Sequence, residues 1–221
     1  MRTNVTLPLA IAAATCVGVV AAVVSSGTDD RARAGSARVH AAVSAPSAVP
    51  SVLSRYAVFQ RPAPSAGTNP FERIAAYTSV DAASARPIAS ADGQVWAAFG
   101  ADKVCVQAKS NLEPAGSPGA CAPLQSFRAG ESLIGWSRPS PAAAASAGVS
   151  SSTAEVYALV PDGVDHVDFT LTDGTDTTLE AYANGVFGQL PHPPVEQRFT
   201  DASGTHHVQR LTRPVEKGAQ P

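Results

Sequence analysis

The chain has 221 residues, a formal net charge of −2 and only 15% charged side chains. After a targeting segment and a linker this leaves room for one domain. No block of five or six like charges reads as a polyelectrolyte tail, so a long-range nucleic-acid patch is not implied and no nucleic-acid partner is expected. Lysine occurs only at Lys103, Lys109 and Lys217, the other basic residues being arginine; with the abundance of alanine, this is the coding habit of a high-GC bacterium.

The first element is Val5 to Val24, an uncharged run of twenty residues, long enough as a helix to cross a bilayer core. Residues 1–4 form a short tail before it. The run is longer than the apolar stretch of a cleaved secretory signal, which favours a retained anchor, although Val20-Ala21-Ala22 and Val24-Ser25-Ser26 both offer small residues for cleavage. Cys16 does not make a lipoprotein site, because Thr15 precedes it and apolar residues follow it. Arg31, Arg33 and Arg38 argue for a cytoplasmic following side. The short tail and the cysteine usage argue for export, which is the expectation adopted: a cell-membrane protein with one span and its domain outside, or a secreted one if the segment is removed.

Residues 25–50, small and polar, read as a disordered linker, and the domain is expected over 51–213 with a tail at 214–221. Val52, Tyr56 and Phe59 share a helical face after Ser51 as N-cap, and the helix stops before Pro62. Asn69, Pro70 and Glu72 resemble a capping box opening a second helix with Phe71, Ile74 and Ala75 on one face. From Gly93 the period becomes two. Val95, Ala97 and Phe99, then Val104, Val106 and Ala108, predict a half-buried hairpin across Gly100-Ala101-Asp102. Residues 122–129 predict a third short helix with Leu124 and Phe127 inward and Gly130 as its stop. Leu133 to Trp136 reads as a strand and Ser137 to Thr153 as a low-complexity mobile loop.

The last third is the clearest β region. Strands are expected over Glu155 to Val160, Val164 to Thr172, Thr177 to Ala183, Val186 to Leu190, Val195 to Thr200 and Thr205 to Leu211. Asp173-Gly174 and Asn184-Gly185 read as turn dipeptides tolerating positive φ, and consecutive strands joined by tight turns imply antiparallel pairing. The fold class expected is α+β: mainly antiparallel hairpins with two or three short helices, in one disulfide-stapled domain after an N-terminal transmembrane helix.

Cys105 and Cys121 flank a connection containing Pro114, Gly116, Pro118 and Gly119. That connection lets two strand-proximal thiols meet, so a disulfide is expected, closing a loop worth about 3 kcal/mol in the chain-entropy model. The alternative is two buried free thiols. Zinc would lack half of its ligands.

The run VPDGVDHVDFTLTDG, then NGVF and FTDASGTHH, resembles a C-terminal pattern of exported proteins of high-GC bacteria that also carry two upstream cysteines and a Val-Trp strand. The resemblance spans Leu53 to Leu211 and implies a β-rich extracytoplasmic domain. That family has no assigned activity, so the resemblance transfers no catalytic residue.

Asp162, Asp165, Asp168, Asp173 and Asp176 form the densest acidic run, but turn roles and opposite strand faces separate them, and EF-hand loop spacing is absent. His206 and His207 point to opposite faces of a strand, while His40, His166 and His192 read as linker, strand-surface and turn residues. No Gly-x-Ser-x-Gly elbow occurs. No catalytic, metal or cofactor residue is therefore assigned. Trp96, Trp136, Tyr157 and Tyr182 are the residues that would line a peptide or carbohydrate surface. The expected role is a non-catalytic binding module of the envelope, with the membrane and an envelope protein or glycan as partners and no nucleic acid; the alternative is a secreted or membrane-anchored hydrolase.

Overall fold

In the computed structural model, residues 48–64, 69–89, 94–112 and 118–211 are described. The apolar run 5–24, the linker up to residue 47 and the tail from residue 212 lie outside them. Among the described residues no helix is long and apolar enough to cross a membrane.

The strand periodicity resolves into two antiparallel sheets. The first has the order β1-β2-β3-β4, with β1 at Arg86–Ile88, β2 at Val95–Phe99, β3 at Lys103–Ala108 and β4 at Gly119–Pro123. The second comprises β5 Leu133–Ser137, β6 Ala154–Leu159, β7 His166–Leu171, β8 Asp176–Tyr182, β9 Gly185–Leu190, β10 Pro194–Thr200 and β11 His206–Arg210. Its order is β11-β10-β7-β8-β9-β6-β5. Tight turns join the pairs β7–β8, β8–β9 and β10–β11 as expected. By contrast, β6 and β7, separated only by residues 160–165 with the Pro161-Asp162-Gly163 turn among them, do not pair; β6 lies between β5 and β9.

The second sheet doubles over at β8. This strand matches β7 from His166↔Glu180 to Thr170↔Asp176 but meets β9 only at Ala181↔Val186 and Tyr182↔Gly185. Strands β5, β6 and β9 thus become a middle layer with two covered faces. Val156, Ala158, Val186 and Leu190 pack against Val167, Phe169 and Leu171 on one side. Tyr157, Leu159 and Leu133 face Val95, Ala97, Val104 and Val106 of the first sheet on the other. Burial on both faces is why β6 reads as a nearly continuous apolar run rather than an alternating one.

The β2–β3 hairpin has the expected register, Val95↔Ala108 to Phe99↔Val104. It is buried on both faces rather than one, because Trp96, Ala98 and Cys105 are covered by Phe71 and Ile74 of α1, which spans Phe71–Thr78. Asn69 starts that helix by accepting a 2.9 Å hydrogen bond from the Phe71 amide, a side-chain cap for a donor that has no partner within the helix. Cys105 and Cys121 sit directly opposite each other on β3 and β4 and form the expected disulfide.

Three further expectations give way. The helix predicted from Ser51 is two 3-10 turns, Ser51–Leu53 and Ala57–Gln60. Tertiary partners take the amides that would continue it, since the Ala57 N–H donates to Asp162 Oδ1 and the Val58 N–H to Asn184 Oδ1. The segment Ser137 to Thr153, read as a loop, contains α2 at Pro141–Ala147. Ser140 caps it, Pro141 opens it and Gly148 closes it at φ 67°, the standard signals of helix start and stop. The helix expected over 122–129 is a 3-10 helix, Leu124–Ala129, ending at Gly130 with φ 78°.

Candidate functional site

Three connections converge on one rim of the domain: the bend between the two 3-10 turns, the β6–β7 turn and the β10–β11 turn. Their residues Ser54, Arg55, Pro161, Asp162, Asp201, Ala202 and Ser203 line a cleft of about 390 Å³. Backbone bonds fix the convergence, the Asp162 N–H donating to the Arg55 carbonyl at 2.8 Å and the Ala202 N–H to the Asp162 carbonyl at 3.2 Å. Asn184 completes the frame. Its Nδ2 donates to Asp162 Oδ1 at 2.8 Å while its Oδ1 accepts from Val58.

The charge centre of the cleft is Asp201. Its Oδ1 accepts from the Ser203 hydroxyl at 2.6 Å, the Ser203 amide at 2.9 Å and the Thr205 amide at 3.1 Å. Its Oδ2 faces His207 Nε2 at 3.1 Å and Arg55 Nη1 at 3.6 Å. The Ser203 hydroxyl first, and then His207, hold its carboxyl well below the usual carboxylate range by bonding to the charged form. His207 is fixed from its other side by stacking on Phe199, with ring centroids 4.7 Å apart and planes 13° apart.

This wiring determines the chemistry. Ser203 Oγ is bonded to Asp201 and to Thr205 Oγ1, whereas His207 turns Nε2 to the carboxylate. A serine nucleophile needs its hydroxyl on the imidazole and the acid behind that ring; here the acid lies between the two. The cleft presents fixed hydrogen-bonding groups and an arginine that is half exposed.

The four aromatics singled out in the sequence do not share a surface. Trp96 is buried under α1 and Tyr157 between the layers. Trp136 packs partly buried against the second core, and Tyr182 is 61% exposed at the end of β8. The acidic run is likewise dispersed. Asp168 accepts from Thr178, Asp173 faces His192 at 3.3 Å, and Asp176 bonds Thr170 and Arg198. Among the described residues no group of three or more His, Cys, Asp and Glu is placed to hold a metal ion.

Sequence reasoning missed Arg55, Asp162 and the Asp201–His207 pair as one site. A local signal existed: Asp201, Ser203 and Thr205 alternate as a turn-forming acid followed by hydroxyl residues, a pattern that binds its own backbone. Nothing local announces Arg55, which is brought there by long-range backbone bonding. No protein-family model, curated protein or solved structure matches the chain.

Proposed function

We propose that this chain is an extracytoplasmic module of the cell envelope, tethered by the apolar segment 5–24, and that it binds a ligand at the Arg55–Asp201 rim without transforming it. The observation carrying the reading is the order of the contacts at that rim, with Asp201 between Ser203 and His207. Such an arrangement uses the acid to fix the loop, and the carboxylate that holds the hydroxyl is a weak base whose pKa lies well below the usual range, with the imidazole on its other oxygen. Export is supported by the apolar run and by the Cys105–Cys121 bond, since disulfides persist in oxidising compartments.

Two measurements test the proposal. Protease added to intact spheroplasts should digest the domain, and full protection would refute the orientation. Incubation of the purified chain with chromogenic esters and glycosides should yield no turnover above background. Turnover abolished by Ser203→Ala or His207→Gln would refute the binding reading.

A further inference from the structure

The structure assigns a phosphate site to the hollow beside the cleft, between Arg55 and Arg128. The inference rests on the binding-module reading and names the chemistry of the ligand. The hollow has a volume of about 220 Å³ and is lined by Ser51, Val52, Ser54, Arg55 and Arg128. Two arginines and two serines therefore line one small space, and no Asp or Glu is among its lining residues.

The fold holds the two arginines together. Arg128 is in the last turn of the 3-10 helix Leu124–Ala129, anchored by buried Phe127. Gly130 then reverses the chain, and a Cβ there would sit 3.2 Å from Arg55 Nη1, so the bare glycine lets the Arg55 guanidinium lie against the end of that helix. Arg55 is 52% exposed and touches Asp201 only at 3.6 Å, which leaves most of its five donors free. Among the described residues no carboxylate lies within ion-pair distance of Arg128.

Like charges sharing a hollow repel, and an anion between them reverses the sign of that interaction. A cation is disfavoured there. The planar fork of arginine matches the oxygens of phosphate by paired N–H donors, and Ser51 and Ser54 add hydroxyl donors. A larger groove of about 590 Å³ shares Ser51, Val52 and Arg128 with the hollow and continues past Pro50, Pro123 and Leu124. It gives room for the group esterified to the phosphate. Asp102 also lines this groove, and its carboxylate lies 4.0 Å from Lys103 Nζ, so that acid has a cation beside it.

The test uses the full chain in neutral detergent, titrated by calorimetry with glycerol 3-phosphate and with dihexanoyl phosphatidylglycerol. Binding of either probe supports the site: the soluble ester identifies a free phosphate ligand, and binding of the lipid alone identifies a headgroup. Affinity should fall with added salt. Arg128→Gln should weaken binding about tenfold, the loss expected for charge-assisted contacts, and Arg128→Lys should recover part of it. Because Arg128 is exposed, an unchanged melting temperature will show that the variants fold. Binding of neither probe, or equal binding by Arg128→Gln, would overturn the site. If wild type and Arg128→Gln are then retained equally on isolated envelope fragments, the phosphate assignment falls and the binding reading stands; turnover of the ester or glycoside panel would remove both.

Discussion

Gly185 and Ala89 meet backbone to backbone: a Cβ on Gly185 would lie 2.7 Å from the Ala89 Cα. The Ala89 amide also donates to the Tyr182 carbonyl at 3.0 Å, so the end of β1 is tied to the corner where the second sheet folds over. The φ values place the left-handed turn one residue earlier than the dipeptide Asn184-Gly185 implies, at Ala183 (54°) and Asn184 (66°). Glycine is required at 185 by close approach instead.

Gly185→Val is therefore expected to destabilise the domain through overpacking, by about 1–3 kcal/mol. Ala183→Gly should act in the opposite sense, stabilising by about 0.5–1 kcal/mol because it removes left-handed strain at some entropic cost. Denaturant melts of both variants check the pair, and a destabilised Ala183→Gly would contradict the turn geometry.

The two adjacent histidines should respond differently to substitution. His206 is on the exposed face of β11, against Thr200 Oγ1, and His206→Gln should change stability by less than about 0.5 kcal/mol. His207, on the opposite face as strand alternation implies, is turned inward, stacked on Phe199 and bonded to Asp201. His207→Ala should cost about 1–2 kcal/mol from lost stacking and hydrogen bonding, measurable by thermal melts at neutral pH.

Acid sensitivity should centre on Asp201. Its carboxyl is depressed in the folded chain, so the stabilisation is complete above the ordinary carboxylate value near about 4 and declines as pH falls below it toward the folded value. Asp201→Asn should lower stability at neutral pH and flatten that acid limb. Melting temperatures recorded from pH 7 downward would reveal this, and parallel profiles for wild type and variant would assign the acid response to other groups.

Reduction should be tolerated locally and felt globally. The Cys105–Cys121 bond joins strands already paired from Lys103↔Pro123 to Gln107↔Gly119, so β3 and β4 keep their ladder when it is broken. Loss of the cross-link should nonetheless lower stability by about 3 kcal/mol through the unfolded chain. Cys105→Ser/Cys121→Ser melts, compared with wild type with and without reductant, provide the measurement; identical curves would show that the bond contributes nothing.

By itself the sequence determined the local half of this protein. Alternation at Val95 to Ala108 and at Val167 to Leu171, and the turn at Asp173-Gly174, specify strands and reversals through interactions within a few residues, as do Asn69 and Gly130 at helix ends. The Cys105–Cys121 disulfide was legible from spacing. The Ser140-Pro141 start and Gly148 stop of α2 were also written locally but masked by the monotony of the alanines between them. Tertiary structure alone decided that β6 pairs with β9 instead of β7, that β5, β6 and β9 form a buried middle layer, and that Asp162 and Asn184 take the amides that would have made Ser51 to Gln60 one helix. It also decided the site, because Arg55, Asp162 and Asp201 lie on separate connections that long-range backbone bonds bring together. Short-range forces leave a signature in sequence spacing, whereas the burial of both faces of a sheet and the convergence of distant loops depend on packing between elements, which spacing does not encode.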